Sequence, residues 1–96
     1  MKVIWSYIAI GNLIENTQYI AKENPEAARA VIDDIYDAGN KIKEFPEKGR
    51  VVPEIGKANI KEVFCRKHRI IYKIEARRIT ILTIRHMRQN IEPEDI

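Results

Sequence analysis

Near Pro46 the apolar residues of this chain stop recurring every three or four positions and begin to alternate. Helices and strands bury residues at different periods, so one such switch divides the chain into a helical first half and a stranded second half. Before the switch, Ala28, Ile32, Ile35, Gly39, Ile42 and Phe45 make a helical stripe. Asn24-Pro25-Glu26 marks its start, with a capping side chain, a proline at the first helical position and an acid in the first turn. A first helix is expected over 7–22, with Ser6 as its cap. Its stripe of Ala9, Leu13, Tyr19, Ile20 and Ala21 is incomplete, and Gly11 and Asn12 weaken it. Two helices separated by two or three residues run antiparallel, so 7–45 reads as a helical hairpin.

After the switch, 60–64, 68–74 and 79–85 are rich in β-branched and aromatic residues and read as strands. The short link 75–78 makes the last two an antiparallel hairpin. Residues 2–5 are short and apolar and suit an edge strand. Phe45-Pro46 to Arg50 is turn chemistry, 50–59 is expected to be irregular, and 89–96 is expected to fray. The fold class is therefore α+β: a helical hairpin packed on an antiparallel sheet, with an N-terminal edge strand, in one domain over 1–96.

Charge is distributed unevenly. Residues 1–48 carry six Lys/Arg and eight Asp/Glu, whereas 49–96 carry eleven and six. From Lys57 to Arg88 ten basic residues face only Glu62 and Glu75. Such a segment attracts phosphate or acidic protein, and it also suits a solvated sheet face. No apolar run approaches the ~20 residues that span a bilayer. The N-terminus has no signal-peptide core, and the single Cys65 excludes an internal disulfide, so a cytoplasmic location and no membrane partner are expected. Cys65 itself reads as a small core residue.

Register suggests where chemistry sits. With Ile74 opposite Ile79 and Glu75 opposite Arg78, Arg69 faces Ile84, Lys67 faces His86, and His86 lies diagonal to Arg69 at ~7–8 Å. Lys67, Arg69 and His86 then cluster at one end of a face continued by Ile71, Leu82 and Ile84, with His68 and Arg85 on the other face. Arginine beside histidine suits phosphate chemistry; the same spacing also suits Arg69 paired with a structural carboxylate and His86 ending a strand. Cys65, His68 and His86 have no acidic ligand beside them, so no metal is expected, and no cofactor motif is present. Tyr72 and Phe64 read as core rather than as base-stacking residues.

The order of these pieces resembles the RelE/ParE superfamily of bacterial toxins. Trp5-Ser6, Ala9, Leu13, Tyr19-Ile20-Ala21 and Asn24-Pro25 with Ala27-Ala28 resemble its opening. Phe45-Pro46, Gly49-Arg50 and Pro53-Glu54 resemble its central turn, 68–74 its signature strand, and 79–84 with His86-Met87-Arg88 its ending. The resemblance implies the toxin of a type II toxin–antitoxin, or plasmid-stabilisation, module, bound by a cognate antitoxin in a hetero-oligomer. The target it implies is DNA gyrase in the ParE branch and ribosome-bound mRNA in the RelE branch. Tyr19-Ile20-Ala21 and Asn24-Pro25 favour ParE. In the nuclease reading Glu54 helps take the 2′-hydroxyl proton, Arg69 stabilises the phosphorane, His86 protonates the leaving 5′-oxygen, and a 2′,3′-cyclic phosphate results. Met87, where those nucleases carry tyrosine, counts against it. Arg50, Lys67, Arg85 and Arg88 are the expected binding cations. A third reading is an inactive toxin fold serving as a binding partner or co-repressor.

Overall fold

The computed structural model describes residues 1–96. β1 (Lys2–Trp5) leads into α1 (Tyr7–Glu23) and α2 (Pro25–Lys41); then come β2 (Arg50–Val51), β3 (Ile60–Cys65), β4 (His68–Ile74) and β5 (Arg78–His86). The strands form one sheet in the order β1-β5-β4-β3-β2. The β3–β4–β5 meander is antiparallel as expected, while the edge strand β1 pairs parallel to β5, so the sheet is mixed. Both helix starts follow the capping chemistry. The Ser6 hydroxyl accepts from Ala9 N–H and the Asn24 side chain accepts from Ala27 N–H. Three short departures from expectation matter. Residues 50–51 form a strand rather than loop, pairing with Glu62 and Lys61. Phe45 falls beyond the end of α2 and is exposed instead of completing its stripe. The C-terminal segment is docked rather than frayed: Ile91 is buried, and Arg85 pairs with Asp95 at 3.0 Å.

Each face of the sheet has its own core. On the helix side Ala9, Leu13, Ile35 and Ile42 pack against Ile70, Tyr72, Ile79, Ile81 and Ile84. On the other side Val52, Ile60, Ile71 and Ile91 form a smaller cluster beneath the 52–59 loop and the C-terminal segment. The central strand β4 is thus buried on both faces from His68 to Tyr72. Tyr72 fixes the turn after α2. Its hydroxyl donates to Pro46 O at 2.6 Å and accepts from Gly49 N–H at 3.2 Å. A Cβ on Gly49 would collide with that hydroxyl and lie 2.8 Å from Glu62 O, so only glycine fits there.

One irregularity sets the positions of all the candidate side chains. The β4–β5 register begins as expected, with Ile74 opposite Ile79 and Tyr72 opposite Ile81, and then slips by one residue at a β-bulge between Ile71 and Tyr72. A bulge leaves ladder groups unpaired. Asn12 on α1 supplies the missing partner: its Oδ1 accepts from the Thr83 hydroxyl at 2.6 Å and from Ile84 N–H at 3.2 Å. The residue that weakens the helix by propensity therefore stabilises the sheet. Replacing Asn12 with Ala strands a buried N–H and hydroxyl and is expected to lower unfolding free energy by ~1–3 kcal/mol. Asn12→Asp, which keeps the acceptor, loses less. Denaturant melts with Asn12→Ala within ~0.5 kcal/mol of the parent, the range of an ordinary surface change, would refute the role.

Candidate functional site: a two-faced basic sheet end

Beyond the bulge Arg69 lies opposite Arg85, and His68 opposite His86. This corrects the expected pairings of Arg69 with Ile84 and of Lys67 with His86. Alternation along β4 then sorts the side chains. Arg69 shares the face of Ile71 and the smaller core; His68 shares the face of Ile70 and the helices. The expected Lys67–Arg69–His86 cluster does not form, because the bulge moves His86 to the helix face. Ile84 goes with it, while Ile71 and Leu82 remain on the Arg69 side and Arg85 joins them.

On that side Arg69 is the hub of an ion network. Its side chain is only 5% exposed. Nη1 and Nη2 donate to the two Glu54 carboxylate oxygens at 2.7 and 2.8 Å, Nε donates to Glu62 at 2.6 Å, and Nη1 also donates to Gln89 O at 2.9 Å. Glu62 is fully buried, and its other oxygen accepts from Arg50 at 2.7 Å. Glu54 also accepts from Ile91 N–H at 3.1 Å. One guanidinium thus ties β4 to β3, to the 52–59 loop and to the C-terminal segment. The Arg69 hydrogen bonds hold the Glu54 carboxyl down from 4.5 to about 2, against the opposing effect of burial. Glu54 in turn raises the Arg69 guanidinium further. Arg50, besides its pair with Glu62, lies over the Phe64 ring at 5.1 Å, leaving that ring half-exposed rather than in the core.

Half of the basic segment is neutralised. Of the ten cations from Lys57 to Arg88, Lys61, Arg66, Arg69, Arg78 and Arg85 each have a carboxylate partner. Among the expected binding cations, Arg50 and Arg85 are paired, whereas Lys67 and Arg88 form no ion pair. Glu62, the buried counter-ion, was the acid in that segment most in need of a role. It stands in phase with the buried Ile60 on β3, a position that an unpaired carboxylate does not occupy.

On the helix side, His68 and His86 meet edge to face with ring centroids 5.8 Å apart. Tyr19 of α1 stands beside them, 68% exposed. The β3–β4 turn completes this corner. Its two residues, Arg66 and Lys67, have φ of 52° and 63°. That is the left-handed geometry of a two-residue hairpin turn, which asparagine and glycine ordinarily fill. Each non-glycine residue held there costs ~1–3 kcal/mol. Arg66 is anchored by Asp34 at 2.7 Å, and Lys67 O accepts from Met87 N–H at 2.8 Å. Cys65, just before the turn, is half-buried, and burial pushes its thiol up.

A helical hairpin on one face of a short mixed sheet, with a basic meander end, defines the architecture of the RelE/ParE-type toxins. The chain belongs to the ParE toxin family of type II toxin–antitoxin systems (parDE), whose family model matches residues 3–91. Among solved structures it is similar to one described as the chromosomal ParDE toxin–antitoxin system from P. aeruginosa, with a TM-score of 0.75 and 17% identity over 90% of this chain and 95% of that chain. At that identity the likeness shows the fold. No curated protein matches the sequence. No helix is long and apolar enough to cross a membrane.

Proposed function

We propose that this toxin inhibits growth by acting on DNA gyrase, and that a cognate antitoxin silences it. The reading rests on the family match and on one observation of the chain itself. Glu54 and Arg69 satisfy each other on one face of the sheet, while His86 stands on the other. A general base, a phosphate-binding arginine and a general acid acting on one phosphodiester need to converge on it. This separation, with Met87 after the histidine, favours gyrase over ribosome-bound mRNA. The test is direct: purified chain is expected to accumulate gyrase–DNA cleavage complexes and to leave mRNA on ribosomes intact. Ribosome-dependent cleavage with no gyrase complexes would overturn it.

The antitoxin is expected to bring acidic residues to the corner carrying Lys67 and Arg88, the two expected binding cations that have no carboxylate partner. Lys67→Glu with Arg88→Glu is expected to weaken the toxin–antitoxin complex ~10-fold or more and to flatten its dependence on salt. Equal affinities for parent and variant across a salt series would place the antitoxin elsewhere.

A further inference from the structure

We propose that the outer face of α1 is a contact between two copies of this chain, the helices crossing antiparallel on a two-fold axis at Gly11. The proposal is independent of gyrase and uses no residue of the Arg69 network. It starts from a glycine that the single chain does not explain. Three of the four glycines are required by the chain itself: a Cβ on Gly39 would strike the Trp5 ring, one on Gly49 would strike the Tyr72 hydroxyl, and Gly56 has a φ of 70°. At Gly11 a Cβ would meet nothing within 4 Å, and the backbone is ordinary helix. Alanine there would favour the helix more. What glycine offers on an open helix face is close approach by another backbone.

The surroundings of Gly11 say what approaches. Ala9, Leu13 and Thr17 are buried against the rest of the fold. The helical repeat puts Gly11 on the opposite side, framed by Tyr7 and Ile8 one turn before it and by Ile14 and Glu15 one turn after. Tyr7 is 98% exposed, Ile8 60% and Ile14 52%. Between Tyr7 and Ala21 the only charge is Glu15. An acidic partner finds no cation on this face to draw it, and neither does an anionic bilayer. A second copy needs none. In a two-fold antiparallel crossing, residues equally far before and after Gly11 meet across the axis. Ile8 then packs on Ile14 of the second copy, and the Tyr7 hydroxyl donates to Glu15 of the second copy, each contact made twice. The frame is therefore complementary to itself, and in a chain of net charge +3 it sets no cation against a cation. The three apolar side chains expose on the order of 400 Å² per copy, half of the ~800 Å² per partner of a standard interface, which fits a weak, reversible dimer.

The test is sedimentation velocity on the full chain over ~5–500 µM, and the parent is expected to be a monomer–dimer equilibrium with Kd of ~10–100 µM, as suits an interface below standard size. Gly11→Gln puts bulk at the crossing, where the chain itself leaves room for it. It is expected to weaken the dimer ~10-fold or more while the melting temperature of the dilute chain stays level or rises. Ile8→Lys and Ile14→Glu each set a charge against an isoleucine of the second copy and are expected to weaken the dimer by a similar factor. Combined in one chain, the two substitutions face each other across the axis, and the double variant is expected to dimerise at least ~3-fold more tightly than either single one. A dimer indifferent to Gly11→Gln would overturn the proposal. A double variant no tighter than the single ones would overturn the crossing at Gly11. A parent that stays monomeric throughout, with variants that weaken the antitoxin complex instead, would give this face to the antitoxin and not to a second copy.

Discussion

Arg69→Ala is expected to lose ~3–5 kcal/mol of unfolding free energy, the loss associated with breaking a buried ion pair from one side. Glu62 has no access to water, and without Arg69 Nε its Oε1 faces no cation. Arg50 still reaches the other oxygen, but from an exposed position. The 52–59 loop and the C-terminal segment lose their common tether when Glu54 and Gln89 O are released. Domains of this size have ~5–15 kcal/mol in total, so the variant is expected to be partly unfolded at 37 °C. Replacing the pair together, Arg69→Met with Glu62→Leu, leaves no buried carboxylate and is expected to recover most of the loss. Linkage gives an independent reading. The Glu54 carboxyl lies at about 2 in the folded chain against an ordinary 4.5. A depressed carboxyl contributes stability that is present above 4.5 and lost as pH falls towards 2. The parent is expected to lose stability through that window, and Arg69→Ala is expected to lose that part of its acid sensitivity. Denaturant melts at pH 7 and pH 3 check both points. A single variant within ~1 kcal/mol of the parent, or a double variant no better than the single, would remove Arg69 from the centre of the fold.

The helices and the strand hairpin were legible because each repeats one period with an interpretable boundary: Ser6 and Asn24 as caps, and the short link 75–78 for the hairpin. The site was less so, because its geometry depends on a slip of one residue. A trace of that slip is in the sequence. Ile79 and Ile81 are two apart, while the next helix-facing residue, Ile84, is three further on. Yet Leu82-Thr83-Ile84 in a sheet buried on both faces reads equally well as unbroken apolar strand. The partner that stabilises the bulge, Asn12, is remote in sequence and looked like a flaw in a helix. Ile91 is one of two isoleucines in the tail, five residues from Ile96, a spacing that carries no strand or helix period and therefore no prediction of docking. Charge misled in the same way. The sum over Lys57 to Arg88 is strongly positive, but partners such as Asp34, Glu47, Glu54 and Asp95 lie outside the segment and arrive only through folding.

Gyrase poisoning and RNA cleavage respond differently to two substitutions, and the structure sharpens which of them to rely on. In a nuclease, His86→Gln removes a proton donor and is expected to slow cleavage by ~10²–10⁴. In a gyrase poison no proton transfer occurs at His86, and the substitution is expected to leave gyrase–DNA complexes accumulating within a few-fold of the parent. His86 is exposed at the end of β5, so the change is not confounded by folding. Glu54→Gln carries the same chemical logic, but it also removes charge from the Arg69 pair. Its activity is interpretable only beside a melt showing that the chain is folded. Arg69→Ala does not discriminate, because loss of the hub damages either activity through stability. The expected result is toxicity retained in His86→Gln and in folded Glu54→Gln, with gyrase trapped on DNA in both. Ribosome-dependent cleavage by the parent that vanishes in His86→Gln would reverse the assignment of target, and would place catalysis on the helix face of the sheet, away from Glu54 and Arg69.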